Sequence, residues 1–527
     1  MKQKRQCSDG SGPPNGPAYS TDKLDGAIRL EPNSDTAQPS EARVYGRGRE
    51  QWNGHGRSEV HTPIQSFDEL TYLDLNPDVL RAVLNGQIQS GHDHWKHFGT
   101  KEGRALRPPE SIPSDWNEER YLRLNPDVSD VVRTGAFTSG HEHWVRYGRY
   151  EGRLGGGTPW PTTSVQNALA SASAGVNMFA FRGTGIGLGT AARGYATALR
   201  PLLPVHEITI PWNLKGPEET KIGSPPHAIN VVHMNPDVLP LFLGRYGRDV
   251  LPTHFNVAIW VWELHAGYAP WHGQGQLFNE IWTPSTYSAN AIRPVSKTPV
   301  YVIPHVVDEL PPPDAVQPHD RGPFQFLYIF DLASTFERKN PLALVRAFRK
   351  AFGSRKDVEL ILKYHHSEFD SPATALLERV AKATPNIRTI NQTLPEEQVY
   401  RLLRSCDCFV SPHRSEGFAL NLAAAMYYGK PVIATGYSGN MDFTTPENAF
   451  LIDYDLVTVQ REAGAYKANY VWAEPSEDHL ADLLRKVVDS PDEARRRAER
   501  GRRTIQERYS VKAVSETIRH RLTAWGL

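Results

Sequence analysis

Only three of the 527 residues are cysteine, Cys7, Cys406 and Cys408. That is too few for a disulfide framework, and a reducing cytoplasm fits. No apolar run reaches the roughly 20 residues needed to cross a bilayer. The opening MKQKRQCSDGSGPPNG also lacks the apolar core of a secretory leader. A chain without a transmembrane segment is expected, with peripheral membrane contact left open. A charge surplus is missing too: 59 Lys and Arg balance 59 Asp and Glu, which argues against nucleic acid as the main partner. The densest basic run, 495–503, sets six Arg around Glu499 and is read as a solvated helix face. What remains is length enough for about three domains.

Residues 1–62 are poor in aliphatics and rich in Gly, Pro, Ser and Asn. Such a segment buries too little to offset its ordering entropy, so a disordered tail is expected. An internal repeat occupies 63–156. Tyr72-Leu73-Asp74-Leu75-Asn76-Pro77-Asp78-Val79 returns 49 residues later as Tyr121-Leu122-Arg123-Leu124-Asn125-Pro126-Asp127-Val128. Gly91, His92, His94, Trp95 and Gly99 return as Gly140, His141, His143, Trp144 and Gly148, so a supersecondary unit is duplicated. Asn76-Pro77 and Asn125-Pro126 read as an N-cap before a first-turn proline. Ser90-x-x-Asp93 and Ser139-x-x-Glu142 read as capping boxes opening a second helix. Histidines two apart do not share a helix face, and the companions of a metal site are missing. Packing and capping are therefore favoured for them, and a small all-α docking module is expected.

From about residue 170 the pattern alternates strand and helix. A strand at 176–181 leads through Arg182-Gly183-Thr184-Gly185-Ile186-Gly187-Leu188-Gly189 into a helix at 190–199. Gly185 and Gly187 would let backbone approach a ligand and place amides at a helix start; the plain alternative is a turn for close helix packing. The loop superficially resembles a dinucleotide fingerprint, with Glu207 the nearest candidate for its ribose-binding acid. Strands follow at 229–233 and 256–261, the latter ending in Trp262-Glu263. Glu263 is a candidate for positioning or deprotonating a hydroxyl, or a structural carboxylate. Residues 307–323 are proline-rich and polar, an interdomain linker. The next strand, 326–330, opens a loop carrying Arg338 and Lys339. Cations at a helix start oppose the dipole, which favours an anionic ligand there.

The most informative stretch is 406–443. Cys408-Phe409-Val410 reads as a buried parallel strand. A polar loop, 411–417, carries Arg414 and Glu416. A helix is expected over 418–428, with Leu420, Ala423, Ala424 and Tyr427 on one face. Gly429 sits where the exit needs positive φ, and Pro431 forbids continuation. Loops at strand C-terminal ends are where open α/β sheets bind ligands. The amides of Gly417, Phe418, Ala419 and Leu420 would offer donors to an anion. Glu416 could accept from hydroxyls, and Arg414 supplies charge. A ligand with both phosphate and sugar hydroxyls would satisfy all three.

Ser415-Glu416-Gly417-Phe418-Ala419-Leu420, with Ala425-Met426 and Gly429-Lys430-Pro431-Val432-Ile433-Ala434-Thr435, resembles the GT-B retaining glycosyltransferases of family 4 over about 175–525. The family's Glu-x7-Glu mark keeps its first acid as Glu416, while the second falls on Ala424. The resemblance implies that Glu416 contacts the donor sugar and Lys339 the donor phosphates. The family's Arg five residues before that lysine is Ser334 here, so a second cation would be Arg338, Arg414 or absent. It also implies that the glycine loop closes over the diphosphate. Where many members place a His near the reacting sugar, Trp262-Glu263 stands instead. The repeats resemble modules appended to bacterial surface-polysaccharide enzymes.

The expected fold is α/β, GT-B: two facing Rossmann-like domains at 170–310 and 320–505, then a helix at 506–527 packing back across them. The all-α repeat module and the disordered N-terminus precede them. The expected activity is hexosyl transfer (EC 2.4) from a GDP-mannose-like or UDP-sugar donor to a glycan or lipid-linked glycan acceptor. Glu416, Lys339 and Glu263 are the catalytic candidates, and no cofactor or metal is expected. Asp453-Tyr454-Asp455 resembles a metal-binding Asp-x-Asp but stands in the wrong place for one. The rival readings are a non-catalytic sugar-nucleotide or glycan-binding protein and a sugar-nucleotide epimerase of the same fold.

Overall fold

Alternating apolar strands and amphipathic helices build two parallel sheets on either side of the proline-rich linker, as seen in a computed structural model of the chain. The structure describes parts of 69–99 and 116–148. It also describes 162–527 apart from 182–186, 211–224, 248–249, 268–270, 272–273, 309, 311–321, 368–370, 461 and 463–465. The expected tail at 1–62 and the glycine-rich linker at 154–159 lie outside the described residues, as does most of the proline-rich linker.

The first sheet holds β1 (Ser173–Phe181), β2 (Val205–Ile210), β3 (His227–His233), β4 (Phe255–Ile259), β5 (Glu280–Thr283) and β6 (Val300–Val302), in the order β2-β1-β3-β4-β5-β6. The second holds β7 (Phe324–Asp331), β8 (Val358–His365), β9 (Ile387–Asn391), β10 (Cys408–Ser411), β11 (Val432–Thr435) and β12 (Phe450–Ile452), in the order β12-β11-β10-β7-β8-β9. Every residue of β4, β10 and β11 is buried, as parallel strands covered on both faces require. Strand direction of travel reverses between β7 and β10, the topological switch point at which such sheets leave a crevice. These are the two Rossmann-like domains of a GT-B fold.

Two later segments complete the first domain from far along the chain. The helix Val511–Ala524 buries Val514, Ile518 and Leu522, with Trp525 after it, against β1, β3 and β4 side chains. Trp525 stacks on Trp282 at 6.1 Å and donates from Nε1 to Glu280 Oε1 at 2.8 Å. An antiparallel hairpin, β13 (Tyr454–Thr458) and β14 (Val471–Pro475), leaves the second domain after β12. Its Val459, Tyr470 and Trp472 are buried among Trp262, Trp271 and Phe278 of the first domain. The sequence reading left this excursion unassigned, because β13 is mostly exposed and carries no core-facing pattern.

The two helical repeats make matched contacts. Tyr72 Oη and His94 Nδ1 are 2.9 Å apart, as are Tyr121 Oη and His143 Nδ1. Ser90 and Ser139 accept from the amides of Asp93 and Glu142 at 3.0 Å, the expected caps. Asn125 stands at the expected N-cap before Pro126, but its side chain makes no capping bond. Asn76 and Asn125 donate from Nδ2 back to the carbonyls of Tyr72 and Tyr121 at 2.8 Å, so they tie off the preceding helix. A side chain at Gly99 or Gly148 would run into the tyrosine hydroxyl, which explains why glycine stands in both copies.

Candidate active site

The loops after β7 and β10 meet at the switch point. Lys339 ends a short helix, Phe336–Lys339, and its Nζ lies 2.5 Å from Glu416 Oε1. The hydroxyl of Tyr328, on β7, donates to the Lys339 carbonyl at 2.6 Å and holds that loop. Arg338 Nη1 lies 3.1 Å from Glu416 Oε2 and donates to the Ser415 carbonyl at 2.8 Å. Burial would raise the Glu416 carboxyl, but Lys339 and then Arg338 outweigh it and hold the group at about 2. Lys339 is held below the ordinary lysine value, by burial first and by Arg338 next, with Glu416 opposing. Glu416 is therefore ionised at neutral pH, and it faces Lys339 across the switch point.

The first domain adds a second acid. Glu263, just beyond β4, lies 3.8 Å from Arg338 Nη2 and accepts from the Tyr466 hydroxyl at 3.1 Å. Tyr466 comes from the hairpin segment between β13 and β14, and the Arg338 guanidinium lies 5.9 Å from its ring centre. Arg338 therefore joins one carboxylate from each domain. Around it the backbones interlock: Ser285 Oγ donates to the Gly417 carbonyl at 2.6 Å, and Gly439 N to the Glu416 carbonyl at 2.9 Å. Gly439 approaches Gly417 so closely that a Cβ would collide with its carbonyl. Glu416 N donates to Ser438 Oγ at 2.8 Å. The loop bearing Glu416 is thus fixed from both domains.

Several expected residues sit otherwise than the sequence reading had them. Arg338 is only 2% exposed, and its donors go to Ser334 O, Ser415 O and Glu416. It organises the acids from behind instead of facing a phosphate. Arg414 turns away, pairing with Glu474 at 2.6 Å and lying 5.5 Å over the Trp472 ring. Its charge is engaged by the hairpin residues Glu474 and Trp472. The helix expected from 418 starts at Leu420, because Ala419 adopts a left-handed φ of 73°. The open first-turn amides are therefore those of Leu420 and Asn421. Phe418 is buried against His305 and Phe443, 4.9 and 5.2 Å between ring centres. Ala424 is core, so no ribose-binding acid replaces the missing second glutamate there.

Gly185 lies outside the described residues. Gly187 begins the helix Gly187–Leu199, with open space where a side chain would stand. That helix faces the second domain: Thr190 Oγ1 donates to Glu396 Oε1 at 3.1 Å, and Arg193 pairs with the same acid. Glu207, on β2, pairs with Arg200. Asp453 pairs with His479 at 2.9 Å.

Sequence reasoning missed Tyr466, Ser285 and Ser438, which fix the acids, because single Ser and Tyr residues in loops carry no spacing signal. It also missed His233 and His305 at the first domain's edge. Both are buried beside Tyr195, at 5.9 and 5.5 Å between ring centres. Burial lowers their values to about 4 and about 3, so both are neutral imidazoles.

Three solved structures similar to this chain share 13–15% identity with it. HepE of Anabaena, in complex with UDP and glucose, is 14% identical with a TM-score of 0.47, over 67% of this chain and 100% of its own. Sucrose-phosphate synthase of Thermosynechococcus elongatus is 15% identical with a TM-score of 0.47, over 67% and 99%. A mutant of S. aureus TarM, in complex with fondaparinux, α-GlcNAc-glycerol and UDP, is 13% identical with a TM-score of 0.42, over 55% of this chain. The chain spans only 54% of that TarM structure. No curated protein matches the sequence. Residues 325–504, which carry Lys339, Glu416 and all of the second sheet but Phe324, match the family described as glycosyl transferases group 1.

Proposed function

We propose that the protein is a retaining hexosyltransferase that moves a sugar from a GDP-mannose-like or UDP-sugar donor to a glycan or lipid-linked glycan acceptor. The observation that carries this reading is the Lys339–Glu416 pair, 2.5 Å apart at the switch point of the region that matches glycosyl transferases group 1. Donor binding exchanges partners. The diphosphate takes Lys339, while Glu416, still held by Arg338, turns to the sugar hydroxyls. As the glycosidic bond breaks, charge grows on the leaving diphosphate. Lys339 and the amides of Leu420 and Asn421 then stabilise it more than the ground state. Positioning and electrostatics suffice: the donor's own phosphate oxygen takes the acceptor proton, with no protein nucleophile and no metal in the step. Glu263 orients the acceptor hydroxyl from the opposite domain.

A place in bacterial surface polysaccharide synthesis, with the repeats docking a partner or glycan, completes the proposal. Buried free thiols at Cys406 and Cys408 suit the cytoplasm, and no helix among the described residues is long and apolar enough to cross a membrane.

The test is nucleotide release by purified protein from a panel of GDP-, UDP- and dTDP-sugars, with and without acceptor extract. Release that disappears in Lys339→Ala and Glu416→Ala is expected. Tight binding without turnover of any donor would replace the enzyme with a sugar-nucleotide-binding protein.

A further inference from the structure

At the outer side of the same sheet edge, β7 ends in Asp331 and β8 in His365, followed by His366. These strands are paired in register, Asp331 beside His365. Consecutive residues of an extended strand point to opposite faces, so His365 and His366 should diverge. They do not, because His366 turns into the left-handed region at φ 57°. Its ring comes back to 4.4 Å from that of His365. His366 Nδ1 then lies 2.8 Å from Asp331 Oδ1, and His365 Nε2 lies 3.5 Å from Asp331 Oδ2. A conformation that ordinarily disfavours a side-chain-bearing residue is thus held where it gathers two imidazoles on one carboxylate.

We propose that Asp331, His365 and His366 form a binding site for one divalent transition-metal ion of the zinc class. One ligand atom from each residue lies within 4.8 Å of the others. Tetrahedral zinc with bonds of about 2.0–2.1 Å needs its ligand atoms roughly 3.4 Å apart, so small side-chain rotations close the set. Two imidazoles and a carboxylate are a donor set such an ion accepts, with a fourth position left for water or ligand. The supports behind the ligands are present as well. Asp331 Oδ1 also accepts from Ala333 N at 2.9 Å. Lys363 Nζ lies 3.1 Å from His365 Nδ1, and with the ion on Nε2 this Nδ1 carries the ring proton and donates it to Lys363 as the neutral amine. Such outer contacts fix ring orientation in metal sites. With neutral imidazoles the three side chains carry one negative charge, which a dication reverses. The ion is not assigned to the sugar-transfer step, and its binding is measured without donor, so this inference and the transferase reading fail separately.

The experiment titrates the untagged, metal-stripped full chain with Zn²⁺ by calorimetry and with Co²⁺ by visible absorption. About one equivalent should bind, with the Co²⁺ bands of a low-coordinate nitrogen–oxygen site. His366→Gly is the decisive variant: it removes one ligand yet suits the left-handed backbone, so the apoprotein should melt no lower than the wild type. Its affinity should fall more than about 100-fold, and Zn²⁺ should no longer raise its melting temperature. His479→Ala, which removes the separate pairing with Asp453, should bind like the wild type. Absence of saturable binding near one equivalent overturns the site. So does wild-type affinity in His366→Gly, or a loss confined to His479→Ala.

Discussion

At the edge of the first sheet, β3 and β6 lead to His233 and His305, buried and held neutral by their burial. At the edge of the second, β7 and β10 lead to Lys339, Arg338 and Glu416, where the two cations pair with the carboxylate and hold it ionised. Backbone strain divides the same way. The non-glycine residues of left-handed φ among those described are Thr335, Asn340, His366, Ala419 and Ser438, and all stand in loops of the second sheet. Each such residue costs on the order of 1–3 kcal/mol, so the second domain's packing must impose them. A relaxed surface, neutral at its histidines and acidic at Glu263, facing a strained one that carries both cations is the division the proposed transfer calls for, with the second domain stabilising a developing anion.

The sharpest way to break that contrast is to unbalance the charges. Arg338→Leu leaves Glu416 and Glu263 without their shared cation, and chemical denaturation should show a loss of about 3–5 kcal/mol. A loss below about 1 kcal/mol would mean that the cluster behaves like a surface pair. Lys339→Ala addresses function instead: nucleotide release should drop about 10²–10³-fold, while His305→Phe on the neutral edge should leave it within a few-fold.

Acid provides a milder test. Glu416 is lowered from 4.5 to about 2 on folding, so its contribution is complete above 4.5 and is lost as pH falls toward 2. Lys339, lowered on folding, offsets part of it. Stability of Glu416→Gln should accordingly be flatter than the wild type across that acid window. On the alkaline side, a depressed Lys339 loses its charge below the ordinary 10.5, so nucleotide affinity should fall there, and Lys339→Arg should hold to higher pH. Smallest of all, Tyr466→Phe removes one hydrogen bond to Glu263 and should cost about 1 kcal/mol.

The architecture was legible because burial writes itself into composition: β10 and β11 are unbroken apolar runs, and Gly429 marks a helix exit at φ 67°. Glu416 was legible as an acid just before a helix, whereas the expected cations at a helix start stand instead in the last turn of the short helix Phe336–Lys339. What could not be read is which partner each charge meets. Arg338 and Arg414 look interchangeable in the sequence, yet one is enclosed by two domains and the other drawn off by Glu474. That sorting depends on the β13–β14 hairpin, whose landing place some 200 residues upstream leaves no local pattern.

That hairpin, with the final helix, also bears on how such proteins can be recombined. A cut at the proline-rich linker would leave the leading half without Tyr470, Trp472, Ile518 and Trp525, with Trp262 and Trp282 uncovered. Donor halves from a relative could be grafted only together with matching upstream surfaces. The heritable unit of exchange is therefore the entire two-lobed body, and shuffled chimeras joined at the linker should reach the soluble fraction only when segments 454–475 and 511–525 come from the same parent as the leading half.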